Sequence, residues 1–372
     1  MSTIRDNAIP VNTAMAFPSP TKRTLFLHIG MHKTASTYIQ RRLRKNRSLL
    51  RENGILLPAR RQQDKKLLKA IDKGSWKPWL RWLKRAEVRN CNLLVSHEAL
   101  SCSLYQLSSD GETPRGLWLA DQLQRCGWKL KVVGFIRDQE SYLNSRYTQL
   151  VKRLSIRSDF NTYVAKVMQG NTISECDLIT LFGWLIEVPS VERIMIPFRA
   201  SKDQNGLDTQ RQDPFQQLAD ELGLSAEVIK QCKPVSSINQ QPGRLGVALA
   251  LEIKRFLEQH HPKVLVRPYK KRLRAGIEKM AKKNDWPAEP FNGLDRTIQQ
   301  TISRRYRSSN AEFCRCFWPK TTWNELFKSR LQNNGEPSST AWTQAADSEL
   351  KACRRKVIAS NLPKAIVAEI PR

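Results

Sequence analysis

The sequence predicts a doubly wound α/β fold, in which helices flank a parallel sheet and a mostly helical C-terminal part follows. Two observations support this prediction. Four short apolar segments lack the strict alternation of half-exposed strands, as is typical of strands buried in a parallel sheet. Helical segments separate them, which favours an alternating α/β chain. The four predicted strands are Thr24–Gly30, Asn92–Ser96, 130–136 and 193–198.

The first predicted helix covers residues 37–53, after the first strand. Ile39, Leu43 and Leu50 recur there at helical spacing, so that they share one apolar face. Gly54 follows and is a typical residue just beyond the end of a helix. This segment therefore predicts a helix that packs on the sheet by one side.

Further helices are predicted from the same signals. Segment 114–126 repeats the apolar spacing, and Asp138 is well placed to cap a helix that runs to about residue 154. Beyond the fourth strand the chain is mostly helical, and the best candidates are 213–222, 244–259 and 294–317.

We expect three parts along the chain. Residues 1–22 contain several Pro, Ser and Thr residues and lack the basic and then apolar layout of a secretory signal, so we expect a flexible leader there. Residues 23–330 form one α/β domain, in which the basic, proline-containing segment 264–283 is interpreted as a surface excursion. Residues 331–372 form a linker and a C-terminal tail, with one short basic amphipathic helix near 350–358.

The cysteines and the hydropathy indicate a protein of a reducing compartment. None of the eight cysteines belongs to a CxxC pair, and the five histidines do not lie near them at zinc-ligand spacing. No stretch of about 18 uncharged apolar residues could form a transmembrane helix. We therefore predict reduced thiols, no metal site and a cytoplasmic location.

The charge is strongly positive, with 63 Lys and Arg against 34 Asp and Glu and a net charge of +29. Such a field attracts anions without specifying which, so nucleic acid, anionic lipid, a nucleotide and an acidic polysaccharide all stay open. Residues 41–90 are the densest stretch, with 17 basic and 4 acidic residues. They form either a solvated helical surface or a groove for a polyanion.

The first candidate site lies in residues 25–40, where a strand, a tight turn and a helix start follow one another. This P-loop-like geometry points backbone N–H groups and the positive end of a helix dipole at one place. Lys33 adds a cation, and Thr34, Ser36 and Thr37 add hydroxyl donors. The GK[ST] sequence of a Walker A loop is missing, which disfavours an ATP or GTP phosphotransferase. An ordinary strand–loop–helix with a Ser/Thr cap is the alternative.

The second candidate site follows the strand at 130–136. Arg137 stands at the carboxyl end of this strand, and Ser145 lies about two turns into the next helix. Ligands of open α/β sheets bind beyond the carboxyl ends of the strands, and arginine offers a planar fork of donors to a phosphate. The alternative is a surface arginine in a helix-capping loop.

Two ionisable residues, His97 and Glu98, follow the strand Asn92–Ser96. A carboxylate or an imidazole in a partly dry cleft can remove a proton from a reacting group. Because neighbouring side chains on a strand face opposite ways, only one of the two is expected to face the site. The alternative is that Glu98 only caps the helix that begins near Ala99.

Residues 28–40, HIGMHKTASTYIQ, resemble the 5′-phosphosulfate loop of sulfotransferases that use 3′-phosphoadenosine 5′-phosphosulfate (PAPS). The sequence differs at Ala35, where glycine is usual, and at Tyr38, where serine is frequent. Alanine tolerates a positive φ less well than glycine does. The spacing of Arg137 and Ser145 is similar to the family's 3′-phosphate motif, and weaker similarity extends to 193–199 and 306–317. The loop residues that match are His28, Ile29, Gly30, Lys33, Thr34, Ser36, Thr37 and Gln40.

The resemblance, closest to bacterial and carbohydrate sulfotransferases, implies transfer of a sulfuryl group from PAPS to a hydroxyl or amine, with a carbohydrate or glycolipid as the acceptor. It implies Glu98 as the base, with His97 as a second candidate, and Lys33 as the group that stabilises the departing phosphate, without a metal. The residues implied to hold the donor are Lys33, Thr34, Ala35, Ser36, Thr37, Arg137 and Ser145.

Two other functions compete with this interpretation. A non-catalytic protein that binds RNA or DNA would explain the net charge, but the sequence contains no homeodomain, zinc-finger, KH or RRM signature. We therefore disfavour nucleic acid as a partner. A nucleotide kinase is opposed by the missing GK[ST].

Overall fold

The centre of the molecule is a five-stranded sheet in which all strands are parallel. The structure is a computed structural model and describes residues 23–58, 61–108, 111–170, 175–198, 213–236, 241–327 and 344–369. Helices flank the sheet, so the predicted α/β class with a parallel sheet is confirmed. The strands, ordered β2-β3-β1-β4-β5 in the sheet, are β1 (Thr24–Gly30), β2 (Ile55–Leu56), β3 (Asn92–Ser96), β4 (Lys129–Ile136) and β5 (Glu192–Pro197).

The four predicted strands are present with bounds that agree within one residue. The missed strand, β2, is an edge strand of two residues, which is too short for a hydropathy pattern to reveal. It pairs with β3 through Ile55 opposite Asn92 and Leu56 opposite Leu93.

The mostly helical C-terminal part is also confirmed. The helices of the described residues are α1 (Ser36–Lys45), α2 (Arg47–Glu52), α3 (Arg61–Asp72), α4 (Lys77–Val88), α5 (Leu100–Leu104), α6 (Arg115–Arg125), α7 (Gln139–Lys152), α8 (Phe160–Gln169), α9 (Leu178–Phe182), α10 (Pro214–Glu221), α11 (Ala226–Gln231), α12 (Gly243–His260), α13 (Arg267–Lys283), α14 (Arg296–Phe317), α15 (Trp323–Leu326), α16 (Gln344–Asn361) and α17 (Lys364–Ala368). Single 3₁₀ turns lie at Gly183–Leu185, Pro262–Val264 and Trp286–Ala288.

Both faces of the sheet are covered, as a doubly wound fold requires. Successive side chains of β1 point to opposite faces. Leu25 and Leu27 belong to the larger apolar cluster, which also takes residues from α6, α7, α12 and α14. Phe26 belongs to a smaller cluster on the other face, where Ile39 of α1 and Phe215 of α10 pack. The loop between β1 and α1 therefore joins two well-packed elements.

The predicted helix 37–53 is broken at Asn46 into α1 and α2. The buried Asn46 side chain donates from Nδ2 to the carbonyls of Arg42 (2.8 Å) and Lys233 (3.0 Å). Its Oδ1 accepts from the backbone N–H of Lys233 (2.7 Å). This anchor to a distant segment of the chain accounts for the break at Asn46. Apolar spacing does not record such a contact, so it predicts one continuous helix.

The interpretation of 264–283 as a surface excursion is wrong. Residues Arg267–Lys283 form the regular helix α13, and Pro268 lies in its first turn, where the missing N–H costs nothing. Leu273, Ile277 and Ala281 are buried in the main core at helical spacing. The basic residues lie on the other side of a helix that is part of the domain.

The residues assigned to a C-terminal tail also pack on the domain. Leu350, Val357 and Ile358 are buried in the main core between α16 and the helices α12 and α13. Arg354 donates from Nη1 to Glu252 Oε1 (2.5 Å) and lies over the ring of Phe256 at 3.8 Å. Residues 344–369 are therefore an integral layer of the fold. The predicted leader 1–22 and residues 331–343 lie outside the described residues.

The eight cysteines are free thiols, as predicted, and four of them are buried. In the part of the chain that the structure describes, no helix is both long enough and apolar enough to cross a membrane.

Candidate functional site

The strand order brings the three predicted motifs to one edge of the sheet. β1 lies between β3 and β4, with His28 opposite Ser96 and Gly30 opposite Phe135. All three strands are parallel, so the segments that follow their carboxyl ends are neighbours. The loop with Lys33, the pair His97 and Glu98, and Arg137 therefore meet beyond the sheet, at the place where open α/β sheets bind ligands.

The loop of residues 31–35 turns sharply between β1 and α1. Lys33 and Ala35 have φ angles of 72° and 59°, in the left-handed region that non-glycine residues rarely adopt. Ala35 is the N-cap residue of α1, yet no side chain caps this helix end, and its first turn contains no acidic residue. The first N–H groups of a helix have no carbonyl partner within it. This end of α1 therefore suits an anion.

The hydroxyl groups of the loop are used differently from one another. The Ser36 side chain is only 6% exposed, and its Oγ has no hydrogen-bond partner among the described residues. Thr34 is fully buried and donates from Oγ1 to the carbonyl of Met31 (2.7 Å), while Thr37 is exposed. A Cβ at Gly30 would lie 3.1 Å from Thr34 Oγ1, so a larger residue would crowd the loop. Ser36 offers a hydroxyl to a ligand, whereas the Thr34 hydroxyl braces the turn.

Arg137 connects the two predicted anion sites. Its Nη1 donates to the carbonyl of Lys33 and its Nε donates to Ser141 Oγ, both at 2.9 Å. Asp138 caps α7 by accepting from the backbone N–H of Ser141 (2.8 Å). Ser145 is buried and lies one turn beyond Ser141 on the same side of α7. The sequence reasoning missed Ser141, which its position four residues after Arg137 could have indicated.

Lys33 is surrounded by other cations. Burial lowers the pKa of Lys33 to about 8, and repulsion from Lys152, Arg137, Arg153 and Arg146 contributes to the decrease. Three of these cations belong to α7 or its last turn, so this helix forms a positive wall of the site. A bound anion would relieve the repulsion, and a buried cation with a strongly displaced pKa is typical of functional sites.

Glu98 follows β3, on the side of β1 away from β4 and Arg137, and its carboxylate is held by α1. Gln40 donates from Nε2 to Glu98 Oε2 at 2.8 Å. Burial by itself raises the pKa of Glu98, but hydrogen bonds from its own backbone N–H and from Gln40, with the fields of His97 and His32, lower the pKa overall. The carboxylate is therefore ionised at neutral pH and able to accept a proton.

His97 caps the turn before α5, so the alternative that Glu98 only caps this turn is wrong. His97 Nδ1 accepts the backbone N–H of Ala99 at 3.1 Å. Ser101 Oγ lies 2.9 Å from the carbonyl of Glu98 and 3.1 Å from the carbonyl of Gly30, which ties the two loops together. Of the two candidate bases, Glu98 is thus the one whose carboxylate is held by α1, through Gln40.

His28 lies on β1, below the loop. Its Nδ1 is 2.7 Å from Ser96 Oγ, and its Nε2 is buried with no partner among the described residues. Burial lowers the pKa of His28 to about 4, although the Glu98 carboxylate opposes this shift. His28 is therefore a neutral residue that links β1 to β3.

Glu175 is a further residue of the site that the sequence did not indicate. Its carboxylate accepts a hydrogen bond from the Tyr142 hydroxyl. It also lies 3.6 Å from His32 Nε2 and 3.7 Å from Arg146 Nη2. Burial lowers the pKa of His32, and Glu175 partly opposes this. No motif surrounds Glu175 in the sequence, so only the fold reveals that it joins the loop to α7.

A buried pair of side-chain amides holds the start of α7. Gln139 Nε2 donates to Asn310 Oδ1 (2.6 Å), and Asn310 Nδ2 donates to Gln139 Oε1 (3.1 Å). Gln139 also donates to the carbonyl of Cys176 (3.1 Å). Asn310 belongs to the segment 306–317 that shows weak family resemblance, and through Gln139 it positions the turn that carries Arg137.

Among the described residues, no three His, Cys, Asp or Glu side chains converge as metal ligands. Comparisons of this chain with protein-family models, with curated proteins and with solved structures each found no match.

Proposed function

We propose that this chain is a sulfotransferase that uses PAPS as its donor. The observation that carries the proposal is the meeting of an uncapped helix N-terminus, Lys33, Arg137 and the ionised Glu98 beyond three adjacent strands. The loop follows the central strand β1, as a P-loop-like site requires. Two anion sites joined by one guanidinium suit a nucleotide that has a phosphate on both its 3′ and 5′ oxygens.

The residues present fit such a donor. The amides of Thr34, Ala35, Ser36 and Thr37 stand at the positive end of α1, and the unpartnered Ser36 Oγ would donate to the phosphosulfate beside Lys33. Arg137 and Ser145 would hold the 3′-phosphate, with Ser141 fixing the guanidinium. The donor, when bound, supplies the sulfuryl group and a 3′,5′-bisphosphate that departs.

The chemistry assigned to the chain's own residues is proton removal and charge stabilisation. Glu98 would take the proton of a hydroxyl or amine acceptor while the acceptor atom forms its bond to sulfur. Lys33, Ser36 and the α1 amides would stabilise the negative charge that collects on the 5′-phosphate oxygen as its bond to sulfur breaks. Gln40 keeps the carboxylate in place. The acceptor is proposed to be a carbohydrate or glycolipid.

Binding of RNA or DNA without catalysis is the second candidate, favoured by the net charge of +29. It explains neither a carboxylate held by Gln40 of α1 nor a buried Ser36 Oγ that has no partner among the described residues. We therefore place it second.

Thermal stabilisation and calorimetry with four compounds would test the proposal: adenosine 3′,5′-bisphosphate, 5′-AMP, ATP and single-stranded RNA. We expect the bisphosphate to bind at least about tenfold more tightly than 5′-AMP, since a charge-assisted phosphate contact contributes about 1.5–3 kcal/mol. Arg137→Ala should erase this preference, whereas Arg125→Ala on exposed α6 should keep it. Equal affinity for the bisphosphate and 5′-AMP would contradict the donor assignment, and stabilisation by RNA alone would favour the second candidate.

A further inference from the structure

The exposed side of α13 carries a row of cations outside the proposed donor site. Arg267, Lys271, Arg274 and Lys282 are separated by four, three and eight residues, so they lie along one side of the helix. We call them the α13 stripe. Arg267, Lys271 and Lys282 are exposed, and the buried face of Leu273, Ile277 and Ala281 lies about 100° around the helix from the stripe.

The charge of this helix is largely uncompensated within it. α13 contains eight basic residues and one acidic residue, Glu278, which gives a net charge of +7 over 17 residues. The Glu278 carboxylate is shared, because its Oε1 lies 2.9 Å from Arg274 Nε and 3.0 Å from Lys152 Nζ. Arg274 is paired with Glu278, so Arg267, Lys271 and Lys282 are the cations of the stripe that suit an anionic partner.

The stripe is continuous with the candidate site. Lys152, which is bonded to Glu278, is the last residue of α7, and Arg153 follows it. Burial lowers the pKa of Arg153, and repulsion from Arg274 of α13 and Arg146 of α7 adds to this effect. Lys152 and Arg153 are also among the cations that face Lys33. Positive potential thus extends from α13, past the end of α7, to the anion loop.

We propose that the α13 stripe binds an acidic polysaccharide, and that a sugar unit of that polysaccharide is the acceptor presented to Glu98. This inference rests on the proposed sulfotransferase function and narrows its acceptor class. From Arg267 to Lys282 the helix rises by roughly 22 Å, at 1.5 Å per residue. Only an elongated polyanion can contact the whole row, and a linear polymer with one negative group per repeat matches it.

Other polyanions fit α13 less well. A membrane-surface helix inserts its apolar side into the lipid, but this side of α13 is buried against α12 and α16. Single-stranded nucleic acid is bound by stacking of its bases on aromatic side chains. The single aromatic residue of α13, Tyr269, packs against the core.

Binding of a fluorescent polygalacturonate octasaccharide to the full chain would test this inference. Single-stranded RNA of matched charge is measured in parallel, because it represents the alternative class of polyanion. We expect the triple variant Arg267→Ala, Lys271→Ala, Lys282→Ala to weaken oligosaccharide binding by about tenfold or more. The slope of log affinity against log salt should fall by about two to three. The matched control is Lys77→Ala, Arg81→Ala, Lys84→Ala, which removes three exposed cations from one side of α4, a helix that packs on α3 and β3.

The control variant should bind the oligosaccharide as the unaltered chain does. An equal loss in both triple variants would show a diffuse field instead of a binding row, and RNA that binds as tightly as the oligosaccharide would favour nucleic acid; either result overturns the inference. Adenosine 3′,5′-bisphosphate is titrated into each variant in parallel. If the bisphosphate fails to bind, the proposed function fails. If the bisphosphate binds normally but binding of the oligosaccharide does not depend on the α13 stripe, only the inference about the acceptor fails.

Discussion

Lys33 and Glu98 both have lowered pKa values, with opposite consequences for their charge at neutral pH. Glu98 stays ionised, because hydrogen bonds from its own backbone N–H and from Gln40, with the fields of two histidines, outweigh the effect of its burial. Lys33 loses its proton at a pH only slightly above neutral, because burial and four cations act against the ammonium form. The site therefore combines a carboxylate able to accept a proton with an ammonium group whose lowered pKa a bound anion would raise.

Replacement of Glu98 should separate binding from turnover. We expect Glu98→Gln to bind adenosine 3′,5′-bisphosphate within about twofold of the unaltered chain, because Glu98 is the proposed base and is not among the residues proposed to hold the phosphates. Its turnover should fall by about 10²–10⁴-fold, the range that a general base contributes. Release of the bisphosphate from PAPS with a panel of acidic oligosaccharides measures this. His97→Asn is the control, and a larger loss of rate in that variant would transfer the role of base to His97.

The low pKa of Lys33 predicts a pH dependence of donor binding. Below pH 8 the ammonium is present in the free protein, and it is lost as the pH rises through this value. A bound phosphate favours the charged form, so affinity should decrease by up to about tenfold per pH unit above pH 8. Calorimetry with adenosine 3′,5′-bisphosphate above about pH 7.5, where its phosphates are fully ionised, measures the effect.

Lys33→Arg provides the matched control for this pH dependence. A guanidinium keeps its charge over the whole range, so its affinity should stay nearly constant with pH. The same decrease of affinity in both proteins would show that another group titrates, and it would remove Lys33 from the phosphosulfate site.

At the scale of elements, the geometry of the anion loop depends on a strained turn between two packed elements. β1 is buried on both faces, and α1 packs on the sheet through Ile39 and Leu43, so the five residues between them have little freedom. Ala35 adopts a φ of 59°, which an L-residue adopts at a cost of about 1–2 kcal/mol. A glycine at this position would adopt the same φ without this cost.

Ala35→Gly should therefore leave the protein as stable or make it slightly more stable. Relief of the left-handed strain is partly offset by the greater freedom of glycine in the unfolded chain, about 0.4–1 kcal/mol, so the free energy of unfolding should rise by about 0–1 kcal/mol. Ala352→Gly, at an exposed position inside α16, should lower it by about 0.5–1 kcal/mol. Urea unfolding measures both variants, and a similar loss of stability in both would mean that Ala35 is not strained.

At the scale of the whole molecule, the C-terminal helices complete the main core. Ile358 and Val357 of α16 are buried in the same apolar cluster as Leu25 and Leu27 of β1. Gly276 of α13 lets the two helices approach, since a Cβ there would lie 2.4 Å from Asn361 Nδ2. The folded domain that carries the candidate site therefore includes α16.

Truncation of a buried side chain on α16 should destabilise the whole domain. We expect Ile358→Ala to reduce the free energy of unfolding by about 2–5 kcal/mol, the range for such cavities. Lys356→Ala, at an exposed position two residues earlier, should change it by less than about 0.5 kcal/mol. Urea unfolding followed by tryptophan fluorescence measures both, and unchanged stability of the Ile358 variant would show that this segment is a loose tail.

Local patterns were sufficient for four of the five strands and for most of the candidate site residues. β1, β3, β4 and β5 are recognisable because a strand buried on both faces must be apolar along its length, and each candidate residue follows such a strand within a few positions. The loop from Gly30 to Ser36 and the Arg137–Ser145 spacing are local in the same sense. The sequence by itself therefore determined the fold class, the candidate loop and the candidate base.

Only the tertiary structure decided how these pieces meet. Glu175 reaches Tyr142 across 33 positions, Asn310 reaches Gln139 across 171, and Arg354 reaches Glu252 across 102. The strand order and the packing of α13 and α16 have the same origin. Hydropathy and motif spacing describe neighbours in sequence, whereas these contacts depend on which buried surfaces and polar groups satisfy one another after the chain has folded.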